Sequence, residues 1–142
     1  MNKGLALVAT FLLLTGCGNI RQETQPFTRS ANDPHEICLI EDSTVRESFR
    51  EAYKNDLAQK GFTVRVLPQG AAIDSCSLTS TYEAHWRWDL AMYLVSADLR
   101  VYRNGQLDGE ATYDAKGAGL NTDKFIDADE KLQELTNHLF PR

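Results

Sequence analysis

Leu78-Thr79-Ser80-Thr81-Tyr82-Glu83-Ala84-His85-Trp86-Arg87-Trp88 decides the fold. Even positions carry Leu78, Tyr82, Ala84, Trp86 and Trp88, while odd positions carry Thr79, Thr81, Glu83, His85 and Arg87. A period of two reads as a strand with one apolar face, and both tryptophans fall on its core side. After Asp89-Leu90 the phase changes: Ala91, Tyr93, Val95, Ala97, Leu99 and Val101 alternate with Ser96, Asp98 and Arg100. A two-residue loop at Asp89-Leu90 pairs Trp88 with Ala91, Trp86 with Tyr93, Ala84 with Val95 and Tyr82 with Ala97. All of these pairs are apolar, and strand register is tied to such matching. Asn104-Gly105 is a hairpin signal. A three-residue loop, Arg103-Asn104-Gly105 with a bulge at Gly105, pairs Val101 with Leu107, Leu99 with Gly109 and Ala97 with Ala111.

Upstream, Glu36-Ile37-Cys38-Leu39-Ile40-Glu41 reads as a strand buried on both faces. Thr44 and Glu47 have capping-box spacing, and Val45, Phe49, Ala52, Tyr53 and Leu57 form a helical stripe. Gly61 falls at a left-handed C-cap, and Phe62 to Leu67 is a second strand before Pro68. Strand, helix and strand make a right-handed crossover unit with parallel strands. Downstream, Lys116 to Asn121 is loop. Asp127 and Glu130 then form a capping pair, and Ala128, Leu132, Leu135 and Leu139 make a helical stripe. The expectation is a two-layer α+β fold, β-α-β-β-β-β-α, with one five-stranded mixed sheet and two helices on one face.

At the other end, Lys3 precedes the apolar run Gly4 to Leu14, which is too short to span a bilayer. It fits an export signal. Leu14-Thr15-Gly16-Cys17 closes it and resembles a bacterial lipobox, which implies cleavage before Cys17 and acylation (palmitate type) of that cysteine. Gly18 follows where an aspartate would favour inner-membrane retention in the lipoproteins this resembles, implying the outer membrane. The expected organisation is signal peptide 1–16, acylated Cys17 with a flexible tether to residue 34, and an α+β domain 35–142. A tether of this length reaches about 56 Å extended and spans roughly 23 Å as a coil.

The chain has 142 residues with a net charge of −5, and removing the signal leaves one domain's worth. No basic patch stands out, which argues against a nucleic-acid partner. With Cys17 assigned to lipid, Cys38 and Cys76 remain, and an exported chain is expected to join them.

Trp86-Arg87-Trp88-Asp89-Leu90-Ala91-Met92-Tyr93, with Lys124-Phe125, Lys131-Leu132 and Leu139-Phe140-Pro141, resembles a family of small uncharacterised proteobacterial lipoproteins. No established activity comes with that resemblance. More loosely, the element order is similar to the two-layer α+β domain of outer-membrane assembly and secretion lipoproteins, a likeness of fold alone.

No catalytic constellation, cofactor motif or metal-ligand spacing is present; His35, His85 and His138 are scattered. The polar sheet face is expected to gather Glu83, Asp98 and Glu110, with Asp98 directly opposite Glu110. Either Arg87, Arg100 and solvent screen these carboxylates, or they hold a cation or a basic partner. Met92, Leu94 and Tyr102, beside His85, fall on the same face. They either contact a partner or lie under a helix end or loop. The surface offered to a partner is thus Glu83, His85, Met92, Leu94, Asp98, Arg100 and Glu110. The reading is a lipid-anchored, periplasm-facing, non-enzymatic binding or assembly module with an envelope protein as partner. The alternatives are a cell-wall glycan hydrolase using the surface carboxylates, and a binder of a small ligand.

Overall fold

A computed structural model describes residues 18–142; the signal segment and Cys17 lie outside the described residues. The elements are β1 (Asn19–Gln25), β2 (Glu36–Ile40), α1 (Glu47–Gln59), β3 (Thr63–Leu67), β4 (Leu78–Asp89), β5 (Ala91–Arg103), β6 (Gln106–Gly117), a 3-10 turn (Thr122–Phe125) and α2 (Ala128–Leu139). The fold is α+β, with two helices and one open mixed sheet of six strands in the order β1-β6-β5-β4-β2-β3. β2 runs parallel to both β3 and β4, and the remaining pairs are antiparallel.

The sixth strand corrects the expected count of five. β1 occupies seven residues of the segment expected to be a flexible tether and pairs with β6 along its length. The rest of that segment is also held. Arg103 binds the Asp33 carboxylate and donates to the Thr28 carbonyl at 3.1 Å, and Phe27 is buried with its N–H on the Leu139 carbonyl at 2.8 Å. β1 escapes periodicity because Ile20 is its lone apolar residue; an edge strand can be held largely by backbone bonding to its neighbour, with no alternating pattern needed. Gln22 adds side-chain bonds to α2, accepting from Lys131 at 3.0 Å and donating to Glu134 at 2.8 Å.

Both hairpin registers differ from expectation by two residues over most of their length. β4 and β5 turn at Leu90 alone, which has φ 61°, so Trp88 faces Met92 and Asp89 faces Ala91. An irregularity beside Val95 then sets Tyr82 against Leu99. At the next turn Asn104 and Gly105, with φ 50° and 79°, form a two-residue type I′ loop with Arg103 opposite Gln106. The extra residue expected at Gly105 falls at Asp108 instead, so Val101 faces Gly109 and Leu99 faces Ala111. A shift of two preserves parity, so alternation cannot distinguish these registers. Gly109 must lack a side chain: a Cβ would lie 2.8 Å from Phe27 Cβ and 3.0 Å from Leu139 Cδ1.

Two further expectations change. The capping box does not form, because Asp42 Oδ1 takes both the Thr44 N–H at 2.9 Å and its hydroxyl at 2.6 Å. α1 therefore starts after Arg46 without a side-chain cap. Its C-terminus does end as expected. Gly61 is left-handed at φ 88°, and the N–H groups of Phe62 and Gly61 return to Leu57 and Ala58. Asp127 caps α2 by accepting from Asp129 and Glu130. Phe49, Tyr53 and Leu57 of α1 meet Leu132, Leu135 and Leu139 of α2 in one core with Ile37, Leu39, Tyr82, Leu99 and Tyr113.

Candidate functional site

On the sheet face away from the core, Arg100 is the centre of the carboxylate group. β5 places it opposite Glu110 of β6, while Asp98 sits opposite Glu83 of β4. This corrects the expected Asp98–Glu110 pair and follows from the two-residue register difference. Arg100 donates through Nε to Glu110 at 2.7 Å, binds Asp98 through Nη2 and has Nη1 3.8 Å from Glu83. One guanidinium thus gathers three carboxylates whose mutual repulsion would otherwise oppose the sheet.

The balance is incomplete at Asp98. Burial pushes its carboxyl up to about 6, with Glu110 and Glu83 adding to the effect and Arg100 opposing it. Its Oδ1 is buried without a hydrogen-bond partner. Asp98, Glu83 and exposed His85 line an open groove of about 330 Å³ with Arg21, Glu23, Thr112, Asp114 and Lys116. Chemically, this groove carries excess negative charge and one carboxyl that takes up a proton in mild acid. It can receive a cation or a basic side chain. The carboxylates a glycan hydrolase would need are drawn together on Arg100 rather than set apart across a cleft.

The expected partner surface is divided. Glu83, His85, Asp98, Arg100 and Glu110 share this region, whereas Met92 lies near the tip of the β4–β5 hairpin and is 52% exposed. Leu94 does not face solvent; it is 1% exposed within the core. The irregularity at Val95 turns it inward opposite Trp86. Trp86 is half-buried against Phe49 under the Arg46 guanidinium. Trp88, expected in the core, is 67% exposed because the hairpin runs past the helices.

Cys38 and Cys76 are joined in a disulfide with Cα atoms 6.2 Å apart. Cys38 alternates with Ile37 and Leu39, and the bond draws the loop before β4 across it, leaving it fully buried. Arg65 donates to Cys76 Sγ at 3.0 Å and pairs through Nε with Glu36 at 3.2 Å. Glu36 and the two sulfurs lie close enough to suggest a metal site, but sulfurs joined to each other are not thiolate ligands.

Sequence reasoning missed a second cleft, of about 240 Å³, at the C-terminal ends of α1 and α2. Phe140 meets Phe27 and Phe62 edge-on at 5.6 and 5.4 Å, and the Arg29 guanidinium lies 4.3 Å over Phe62. Burial and nearby Asp129 raise the Asp56 carboxyl at its wall, while burial and Arg142 lower Lys60. The lining residues come from three separate segments, so no local pattern announces the cleft.

Solved structures that share the fold include two PelC assemblies. A PelC dodecamer from Paraburkholderia phytofirmans, carrying a single leucine-to-methionine substitution, is similar with a TM-score of 0.54 at 12% identity, over 87% of this chain and 100% of that one. A PelC dodecamer from the same organism in another crystal form gives 0.54 at 11%, over 85% and 95%. No family model and no curated protein matches the chain.

Proposed function

We propose that this chain is a lipid-anchored lipoprotein of the bacterial envelope, held through Cys17 in the outer membrane and facing the periplasm. Its domain is a non-enzymatic binding or assembly module. The observation that carries this reading is the lipobox-like run Leu14-Thr15-Gly16-Cys17 closing the short apolar stretch Gly4 to Leu14 behind Lys3. Gly18 packs on Ala118, and its carbonyl accepts from Asn121 Nδ2 at 3.5 Å. Lipid on Cys17 would thus be joined to the sheet directly, with β1 taking the place of a tether. Two recesses remain for a partner: the acidic groove around Asp98 and the aromatic cleft at Phe140.

Metabolic labelling with a clickable palmitate analogue tests the anchor. The wild-type chain should carry label and sediment with outer membranes. Cys17→Ala should lose the label and leave that fraction. A chain that stays unlabelled while remaining in the membrane would sink the reading.

A further inference from the structure

Among the described residues, five of the eight large apolar side chains left exposed lie at one end of the sheet: Trp88, Leu90, Met92, Leu120 and Phe125. At this end β1 begins, β6 finishes and the β4–β5 hairpin turns. Leu120 is 97% exposed and Leu90 88%. Leu90 is also strained: a non-glycine residue in the left-handed region costs about 1–2 kcal/mol, and glycine or asparagine would relieve it. Strain kept at an exposed apolar tip points to a use for that side chain.

This end is also built firmly. The buried Lys124 ammonium binds the Asp89 carboxylate and donates to the Gly119 carbonyl at 2.5 Å. It lies 5.3 and 5.1 Å from the centres of the Tyr93 and Phe125 rings. The hairpin tip, the 118–121 loop and the 3-10 turn are thereby locked together, with a cation satisfied inside and apolar groups outside.

We propose that this end of the domain is a bilayer-contact surface, with Trp88, Leu90, Met92, Leu120 and Phe125 entering the headgroup and upper acyl region. The proposal rests on the reading of Cys17 as acylated, and the chain's own course selects lipid as the occupant. Gly18, one bond from Cys17, sits on Ala118, two residues before Leu120. The hairpin lies two to three strands from β1, about 10–15 Å across the sheet, and Leu90 extends roughly 8 Å beyond the Asn19–Gly117 pair. Interfacial elements sink about 5–10 Å. Trp88 at headgroup depth, Leu90 beyond it and exposed Arg87 beside Trp88 suit that boundary. With lipid on Cys17 holding the chain to the bilayer, this surface would fix the domain's orientation on it. The Phe140 cleft, beyond the far ends of β1 and α2, would then point away from the bilayer.

The test uses the full-length chain as made in bacteria, with Trp86→Phe leaving Trp88 as the sole tryptophan. It is reconstituted in phosphatidylethanolamine–phosphatidylglycerol vesicles with plain or brominated acyl chains. Trp88 emission should fall roughly two-fold on bromination, while Trp88→Phe, which keeps Trp86, should show no loss. Unquenched Trp88 on vesicle-bound chain whose Cys17 carries lipid by mass spectrometry overturns the contact surface and leaves the anchor standing. Quenched Trp88 with unmodified Cys17 supports the surface and overturns the anchor. Unquenched Trp88 with chemical cross-links between copies through the hairpin overturns the proposal in favour of a second copy.

Discussion

The backbone of Gly18 meets Ala118 so closely that a Cβ on Gly18 would fall 1.7 Å from the Ala118 carbonyl oxygen. Gly18→Ala must therefore push β1 off the loop or move the loop itself. Overpacking of this kind costs about 1–3 kcal/mol. Thermal unfolding should drop by roughly 5–10 °C. An unchanged melting temperature would show that this contact is looser than described.

Arg103 is the next point of leverage. It binds Asp33 and donates to Asp108 at 2.8 Å, with its guanidinium 5.0 Å from the Phe27 ring centre. Burial works against the Asp33 charge, yet Arg103 and the Ser30 N–H outweigh it and hold the carboxyl below its ordinary value. Arg103→Ala strands that carboxylate, at a cost of about 2–4 kcal/mol. Trypsin should then cut at Arg29 in the native protein, and adding Asp33→Asn should recover part of the stability. Resistance to cleavage equal to the parent's would mean the segment is held by something else.

Asp98 makes a prediction about pH. Its carboxyl is pushed up to about 6 from an ordinary 3.8, chiefly by burial. The folded chain thus binds this proton more tightly than the unfolded chain. Between these values the group's contribution to stability falls as pH rises, and the penalty is complete above the folded value. Asp98→Asn removes it. The variant's advantage over the parent should widen by about 2 kcal/mol between roughly pH 4 and pH 7 in urea unfolding. A gap independent of pH refutes the assignment.

Cys38 and Cys76 are 38 residues apart. Their bond is worth about 4 kcal/mol in the chain-entropy account. Replacing both by serine should lower the urea midpoint accordingly, and reductant should affect the parent but not the variant. Loss well under half of that would place the restraint elsewhere, with the Arg65–Glu36 pair the first candidate.

The meander was legible because its side chains alternate, and α2 because Asp127 and three leucines mark its start and stripe. Register was not legible, since pairing Tyr82 with Leu99 satisfies parity as well as pairing it with Ala97. Leu94 was misplaced by one inserted residue, which leaves no mark in composition. β1 was missed because a polar edge strand held mainly by a neighbour's backbone carries no alternating pattern. The gathering of Glu83, Asp98 and Glu110 followed from parity alone, but their common hold on Arg100 needed the true register. Phe27, Phe62 and Phe140 converge only through tertiary packing, so their cleft was invisible from any one stretch.

The ladder between β1 and β6 has a mechanical consequence. The chain enters β1 from the Cys17 end, and both named recesses lie farther along the domain. A partner pulling away from a lipid-held Cys17 would load β1 along its own axis. The backbone bonds to β6 run across that axis, so six paired positions would share the load instead of failing one after another. The same strand, reversed in direction, would peel.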